Sequence, residues 1–163
     1  MNDKFFKLPK EKQQRIINAA YKVFSKNSYK KASMSEIAAE GGISKSLLFH
    51  YFINKKELYL YLWTTAMRMT QKAVSDYNVL KTSDFFKILK RSLLAKCSLM
   101  REYPHIGAFS LNAYYEEDSE IFYAMDGYML QKYRSGQILP DEIEREIDRL
   151  IDLWKVIYTE KRE

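Results

Sequence analysis

The sequence predicts an all-α fold, for three reasons. Apolar residues recur at helical spacing through most of the 163-residue chain, only 5 residues are Gly and 3 are Pro, and no segment alternates apolar and polar residues as a strand would. The hydrophobic share of 47% is also well above that of disordered chains. A chain of this length forms one domain or two small ones, which excludes a large multidomain enzyme.

Four helices are predicted in the N-terminal part from their capping residues and apolar faces. Pro9 suits the first turn of a helix, and Ser33, Ser44 and Asn54 each precede an apolar helical pattern as N-caps. Ser33 also forms a capping box with Glu36. The four helices span about residues 9–26, 33–40, 45–52 and 54–77.

Four more helices are predicted in the rest of the chain. Ser83 caps the first of them, Pro104 stops it, and an acidic turn at residues 116–118 separates the second from the third. The last begins at Pro140, which is followed by acids that suit the positive end of a helix. These helices span about residues 83–103, 105–115, 119–133 and 140 onwards.

The charge is divided unevenly between the two parts. Residues 1–57 hold 12 Lys and Arg against 5 Asp and Glu, whereas residues 58–163 hold 15 against 16. A basic excess confined to one part is typical of proteins that bind polyanions, because Lys and Arg hold phosphates through counterion release. From charge alone, a solvated basic surface explains the pattern equally well.

The composition also indicates the cellular compartment and disfavours several kinds of functional site. No apolar run approaches the 18 or more residues of a membrane span, and the first residues lack the apolar core of a signal peptide, so we expect no membrane partner. Cys97 is the only cysteine, which fits a reducing compartment, and we expect the protein in the cytoplasm. We find no metal-ligand cluster, no Gly-rich phosphate loop and no nucleophile motif, so we expect no metal or cofactor, and an enzyme is the less favoured class.

Residues 34–51 have the layout of a helix-turn-helix. Gly41 and Gly42 end the first of the two helices, and Gly42 can adopt the positive φ that a tight turn needs. The small Ala38 lets the helices cross closely, and Leu48 faces back into the crossing. The second helix would then enter the major groove of DNA by its N-terminal residues.

The run IINAAYKVFSKNSYKKASMSEIAAEGGISKSLLFHYFINKKELY, residues 16–59, resembles the DNA-binding domain of the TetR (tetracycline-repressor-like) family. The matching features are Ala19-Ala20, Phe24, Ser33, Ile37-Ala38, GGIS at 41–44, HYF at 50–52 and NKKEL at 54–58. After Leu58 the resemblance rests on the all-helical layout. It implies a three-helix DNA-binding domain at residues 1–57 and a helical bundle for ligand binding and dimerisation at residues 58–163.

The resemblance also implies which residues contact DNA. Ser33 and Lys55 would each bind a phosphate, and His50 and Tyr51 would hold the flanking phosphates. The start of the recognition helix, where the family reads bases, comprises Ser44, Lys45, Ser46 and Leu47.

The chain departs from the family pattern at two of these positions. The family commonly has Thr, Leu and Tyr where this chain has Leu47, Leu48 and Phe49, so hydroxyl groups are missing at positions 47 and 49. An apolar Leu47 would contact a thymine methyl group instead. Phe49 has no hydroxyl for the phosphate contact that the family pattern implies at its position.

The later helices are rich in aromatic residues and Met, for which two interpretations stay open. Such residues pack any helical bundle, and they also suit the walls of a pocket for a small hydrophobic or aromatic effector, as the family resemblance implies. The acids at 116–118 would favour a cationic ligand or simply form a solvated turn. The predicted pocket residues are Trp63, Met67, Phe86, Met100, Tyr103, Phe109 and Tyr123.

The predicted last helix carries a wide apolar stripe that suits docking on the same chain or on a partner. In the family, the last two helices form a four-helix bundle with those of a second subunit, which implies a homodimer with two recognition helices for a near-palindromic operator. The predicted interface residues are Ile147, Leu150, Ile151, Trp154 and Ile157.

The leading hypothesis is a homodimeric repressor that a small ligand releases from double-stranded operator DNA. In the alternative, the same DNA-binding domain is joined to a bundle that serves only dimerisation or a protein partner. An internal cavity in the bundle would distinguish the two.

Overall fold

The computed structural model describes residues 3–125, and the structural statements below concern this part of the chain. It contains α1 (Asp3–Phe6), α2 (Lys10–Phe24), α3 (Met34–Glu40), α4 (Lys45–Tyr51), α5 (Lys55–Asp76), α6 (Phe85–Glu102) and α7 (Ile106–Tyr114). Residues 119–125 are also helical, and residues 3–125 contain no strand. The prediction of an all-α fold is confirmed.

Two predicted helix starts have the expected caps. Ser44 Oγ accepts a hydrogen bond from Leu47 N at 3.1 Å, and Asn54 Oδ1 accepts one from Glu57 N at 2.8 Å. Each cap pairs an amide that has no partner inside its helix, which fixes where α4 and α5 begin.

Ser33 is the N-cap of α3 as predicted but does not form the capping box, and the start of α6 differs by one residue. Ser33 Oγ accepts from Ser35 N at 3.2 Å, one residue earlier than a capping box requires. The N-cap of α6 is Asp84 and not Ser83, and its carboxylate accepts from Lys87 N at 3.0 Å. A carboxylate makes the stronger charge-assisted bond, which explains why it displaces the neighbouring hydroxyl.

A single buried cluster joins the N-terminal helices to α5 and α7. Tyr21 of α2 is fully buried in it, and its hydroxyl donates to Leu62 O of α5 at 2.9 Å. Burial raises the pKa of Tyr21 far above its ordinary value, so the phenol stays protonated and remains a donor. Its ring also lies 5.0 Å from that of Phe109 of α7. The predicted boundary between residues 57 and 58 lies within α5, and the division into two domains stays a prediction.

The N-terminal helix α1 is not among the predicted elements. Phe5 of α1 is fully buried, with its ring 5.8 Å from Tyr51, 4.9 Å from Phe52 and 6.0 Å from Tyr61. Gln13 Nε2 closes the turn after α1 by donating to the carbonyl oxygens of residues 6 and 8. Phe5 therefore bridges the end of α4 and the first half of α5.

The far half of α5 packs on α6 through a second, smaller cluster of Ala73, Val79, Ile88 and Ala95. Two predictions lie outside the described residues, namely the end of the helix at 119–133 and the whole helix from Pro140. The five predicted interface residues from Ile147 to Ile157 lie outside them too.

Candidate nucleic-acid interface

Helices α3 and α4 cross at a tight glycine turn. Ala38 and Leu48 are both buried at the crossing, as expected from the sequence. Gly42 has φ of +63°, in the left-handed region that favours glycine, and Ile43 N donates to Ala38 O at 3.0 Å. A Cβ at Gly41 would lie 3.2 Å from Ile37 O, a tight contact, so a larger residue there would require a small shift of the backbone.

The start of α4 is open to solvent. Lys45 and Ser46 are exposed, and Leu47 is half-buried. Ser44 is exposed as well, but its hydroxyl caps the helix and lies 3.1 Å from Ser46 Oγ. The side chains free to meet a base edge are therefore those of Lys45, Ser46 and the outer part of Leu47.

The two candidate phosphate-binding residues at the other end of α4 differ in exposure. His50 is exposed, as is its neighbour Phe49, whereas Tyr51 is only 5% exposed. Tyr51 packs its ring against Phe5, which leaves a small part of the side chain for a phosphate. The ring at position 51 is thus part of the core, and a phosphate contact by its hydroxyl stays a prediction.

Ser33 is exposed at the start of α3. Its hydroxyl oxygen accepts from Ser35 N, and its proton remains available for a phosphate oxygen. Directly before it, Lys30 and Lys31 are exposed in the loop between α2 and α3. Sequence reasoning did not assign them, although the paired lysines next to Ser33 were a usable signal.

Lys55 does not face solvent as the expected phosphate contact would require. Its Nζ donates to Tyr29 O at 2.8 Å, Ala32 O at 3.2 Å and Lys30 O at 3.3 Å, and it lies 4.5 Å from the centre of the Tyr29 ring. An ammonium group has three donors, and all three are used here. Lys55 therefore fastens the loop before Ser33 to the start of α5, and its expected phosphate contact stays a prediction.

The seven predicted pocket residues do not line one cavity in residues 3–125. Trp63 and Phe109 are buried in the main core, and Met67 and Tyr103 pack half-buried against it. Phe86 and Tyr123 are exposed. Of the seven predicted residues, only Met100 borders a cavity that lies between α5, α6 and α7.

That cavity has a volume of about 330 Å³. Its lining comprises Thr70, Ala73, Val74, Ser92, Ala95, Lys96, Leu99, Met100, Ile106, Gly107 and Ser110. Large aromatic residues fill the core, and small residues leave the space empty. This explains why a search for aromatic walls missed it.

Polar contacts tie the N-terminal helices to α7 and the turn that follows it. Asn112 Nδ2 donates to Ser25 O at 2.7 Å, at the end of α2. Glu116 Oε2 accepts from Tyr29 N at 2.9 Å, in the loop before α3. The acidic turn at residues 116–118 is thus partly a fastening for the helix-turn-helix and not simply a solvated turn.

A further set of contacts lies at the end of α6. Gln14 and Asn18 of α2 both donate to Glu102 O, at 3.1 and 2.9 Å. The end of α6 and the end of α7 therefore both bond to α2.

The sequence predicts neither a metal site nor a membrane-spanning helix. Within residues 3–125, no group of three or more His, Cys, Asp or Glu side chains could hold a metal ion. In the same part of the chain, no helix is both long and apolar enough to cross a membrane.

Comparison with known proteins places this geometry in a family. Residues 16–62 match the family model described as bacterial regulatory proteins, tetR family. An HTH-type transcriptional regulator of Staphylococcus aureus is 28% identical over 148 residues, which is 79% of this chain and 76% of that protein. The matched family region includes the second half of α2, all of α3 and α4 with the turn at Gly42, and the start of α5.

Two other curated regulators match over shorter stretches. The HTH-type transcriptional regulator UidR of Escherichia coli is 46% identical over 44 residues, 27% of this chain and 22% of UidR. The HTH-type transcriptional activator FasR of Mycolicibacterium smegmatis is 42% identical over 55 residues, 33% of this chain and 25% of FasR.

The fold is shared with a solved structure. A TetR family transcriptional regulator from Chloroflexus aurantiacus superimposes with a TM-score of 0.60 at 24% identity, covering 86% of this chain and 70% of that one. These relatives are transcriptional regulators and not enzymes. Residues 16–62 thus carry the DNA-binding region of the tetR family of bacterial regulatory proteins, and the chain is similar to DNA-binding transcriptional regulators of the helix-turn-helix class.

Proposed function

We propose that this regulator is a homodimeric repressor that a small hydrophobic or aromatic effector releases from double-stranded operator DNA. One observation carries the release: α7 borders the 330 Å³ cavity with its first residues, while Asn112 near its end and Glu116 just after it bond to the end of α2 and to the loop that leads into the helix-turn-helix. In this proposal residues 1–57 form the DNA-binding domain, and residues 58–163 form the effector and dimerisation domain. A repressor acts where the operator is, so we place the protein in the cytoplasm.

The proposed DNA contacts follow from exposure at the helix-turn-helix. Lys45 and Ser46 reach base edges in the major groove, and Leu47 contacts a thymine methyl group. Ser33 and His50 bind phosphates on either side. Ser44 starts α4 at the right place by capping it, and either its hydroxyl or that of Ser46 donates in the contact between them, so one of the two protons remains for DNA.

The exposed lysines next to Ser33 add a sequence-independent attraction. Lys30 and Lys31 carry positive charge in the loop that Lys55 and Glu116 hold in place. Such contacts release counterions, so operator affinity falls as the salt concentration rises.

The proposed release depends on two arrangements of α7. Gly107 and Ser110 border the cavity, and Asn112 and Glu116 lie one to two turns further along the chain. A ligand that fits the cavity better when α7 is displaced strains the bonds to Ser25 and the following loop. The ligand lowers the affinity for DNA only if it binds the protein with α7 displaced more tightly than the protein with α7 in place.

Dimerisation is proposed from the apolar stripe at Ile147, Leu150, Ile151, Trp154 and Ile157. If the stripe meets its copy across a two-fold axis, Trp154→Glu buries an unpaired charge in each half of the interface. We expect sedimentation of this variant to show monomers and operator binding to fall to the non-specific level. A Trp154→Glu dimer with full operator binding would place the interface elsewhere.

The direction of regulation is tested with a reporter gene placed behind the DNA upstream of the protein's own gene. Repression predicts that reporter output rises when the regulator is deleted. A fall on deletion would make it an activator, which is how the partial relative FasR is described.

The coupling is tested with the full-length protein by fluorescence anisotropy on the same DNA. Asn112→Ala removes the bond to Ser25 O and should reduce the effect of a cavity ligand on DNA affinity while the ligand still binds. Gln71→Ala, an exposed amide on α5, is the control and should keep the full effect. Equal effects in both variants would contradict a release through α7.

One observation favours the alternative of a bundle without ligand sensing. Phe86, Leu89 and Leu93 lie on one side of α6 and are 68%, 45% and 54% exposed. A stripe of this kind suits a protein partner or a second subunit. In that case no compound bound in the cavity changes DNA affinity, whereas Leu93→Glu abolishes the association.

A further inference from the structure

The lining of the α5–α6–α7 cavity carries charge of one sign only. Among the eleven lining residues within 3–125, Lys96 is the one ionisable side chain, and none of these eleven is a carboxylate. Lys96 has no ion pair with any residue of the described part of the chain. A ligand there would meet one positive charge at the edge of an otherwise uncharged space.

Most of the cavity wall is apolar. Ala73, Val74, Ala95, Leu99 and Ile106 contribute carbon surface from all three helices. Favourable burial against such a wall needs an apolar ligand body. The wall therefore favours a ligand with an apolar body, and Lys96 at the edge favours a ligand with a negatively charged group.

The polar atoms in the lining are consistent with an anion. Thr70, Ser92 and Ser110 contribute hydroxyls, and Ser110 Oγ already donates to Ile106 O at 2.9 Å. The first turn of α7 borders the cavity at Gly107 and has no side-chain cap, so it adds the positive end of a helix dipole.

Glycine at position 107 leaves the space open. A Cβ built there would have no atom within 4 Å, and the φ of Gly107 is not in the left-handed region. A larger side chain at this position can therefore enter the cavity without straining the backbone. The volume of about 330 Å³ equals roughly eleven water volumes, so it suits a ligand of about ten to twelve non-hydrogen atoms.

From this geometry we infer that the effector is a small organic carboxylate with an apolar body, whose carboxylate pairs with Lys96. The inference rests on the proposed role of this cavity as the effector site. The acids at 116–118, which alone would suggest a cationic ligand, do not border this cavity, and Glu116 is bound to Tyr29 N.

The test uses three probes of one shape and different charge: 4-ethylbenzoate, 4-ethylbenzamide and 4-ethylbenzylamine. Binding to the full-length protein is measured by calorimetry. We expect the benzoate to bind at least about tenfold more tightly than the benzamide, because a charge-assisted bond is the stronger one. We expect the amine to bind more weakly than both. An amine or amide that binds as well as the benzoate would overturn the inference, as would a failure of the benzoate to bind.

Variants assign the charge and the site. Lys96→Met should remove the preference for the benzoate over the benzamide, and Lys96→Arg should keep it. Lys90→Met removes an exposed lysine of α6 that is not in the lining and is the matched control. Gly107→Leu should abolish binding of the benzoate while the melting temperature stays near that of the wild type. A preference that survives in Lys96→Met, or binding that survives in Gly107→Leu, would overturn the assignment.

The same probes separate this inference from the proposed release. If the benzoate binds as described but leaves operator affinity unchanged, the ligand class stands and the release is wrong. If the neutral or cationic probe releases DNA and Gly107→Leu blocks that effect, the release stands and the carboxylate is wrong.

Discussion

Replacing Lys55 by Met separates its observed structural role from a phosphate contact. The change keeps the aliphatic stem and removes the ammonium group that donates to Tyr29 O, Lys30 O and Ala32 O. It also removes the cation from the face of the Tyr29 ring. Three carbonyl oxygens of the loop before Ser33 then lose their partner.

The expected cost follows from these contacts. The half-buried bond to Tyr29 O is short, at 2.8 Å, and a hydrogen bond to a charged group contributes about 1.5 to 3 kcal/mol. The other two bonds are longer and more exposed, and the cation–π contact adds about 0.5 to 1 kcal/mol. We expect Lys55→Met to lower the free energy of unfolding by about 2 to 4 kcal/mol. At about 2 to 4 °C per kcal/mol, the melting temperature should fall by roughly 4 to 16 °C.

Two measurements decide between the roles of Lys55. Calorimetric melting reports the stability, and operator titration at several salt concentrations reports the number of phosphate contacts. We expect the slope of log affinity against log salt to stay unchanged, because a phosphate contact would account for about 0.9 of it per subunit. Lys56→Met is the control, since it breaks only an exposed pair with Glu120 and should cost less than about 1 kcal/mol. A Lys55→Met protein with wild-type stability and a smaller slope would refute the structural role.

Three further predictions test the helix-turn-helix and its support. Phe5→Ala should lower the free energy of unfolding by about 3 to 5 kcal/mol, because the ring is fully buried. It should also speed hydrogen exchange in α4. Faster exchange in α1 alone would contradict the role of Phe5 as a bridge between α4 and α5. Gly42→Ala should destabilise the protein by about 1 to 2 kcal/mol because φ is +63°, whereas Gly107→Ala should be close to neutral; equal effects would refute the strain argument. Lys45→Ala should weaken operator binding by about 1 to 3 kcal/mol at one base position if Lys45 reads guanine; a uniform loss across sequences would make it a phosphate contact.

The helix boundaries were predictable because caps act over a few residues. Ser44 and Asn54 bond to amides three residues along the chain, so the residues that define α4 and α5 are adjacent in the sequence. The turn at Gly42 is local for the same reason, since its φ depends on the absence of a Cβ. The start of α6 was missed by one residue because Ser83 and Asp84 are both capping residues, and the helical pattern alone does not show that the carboxylate makes the stronger bond.

The roles of individual site residues were less predictable. Exposure of Lys45, Ser46 and His50 follows from their place on short amphipathic helices. The burial of Tyr51 depends on Phe5, which lies 46 positions earlier and outside the region that resembles the family. No periodicity within α4 contains that information.

The sequence alone therefore determined the helices, the glycine turn, the exposed start of the recognition helix and the family. Only the tertiary structure decided that Lys55 is used inside the protein, that Asn112 and Glu116 hold the helix-turn-helix, and that small residues of three helices leave a cavity beside Lys96. The reason is the range of the interactions. A cap or a turn is complete within four residues, whereas a lysine or an amide takes whichever partner the folded chain brings to it, here from 23 to 87 positions away.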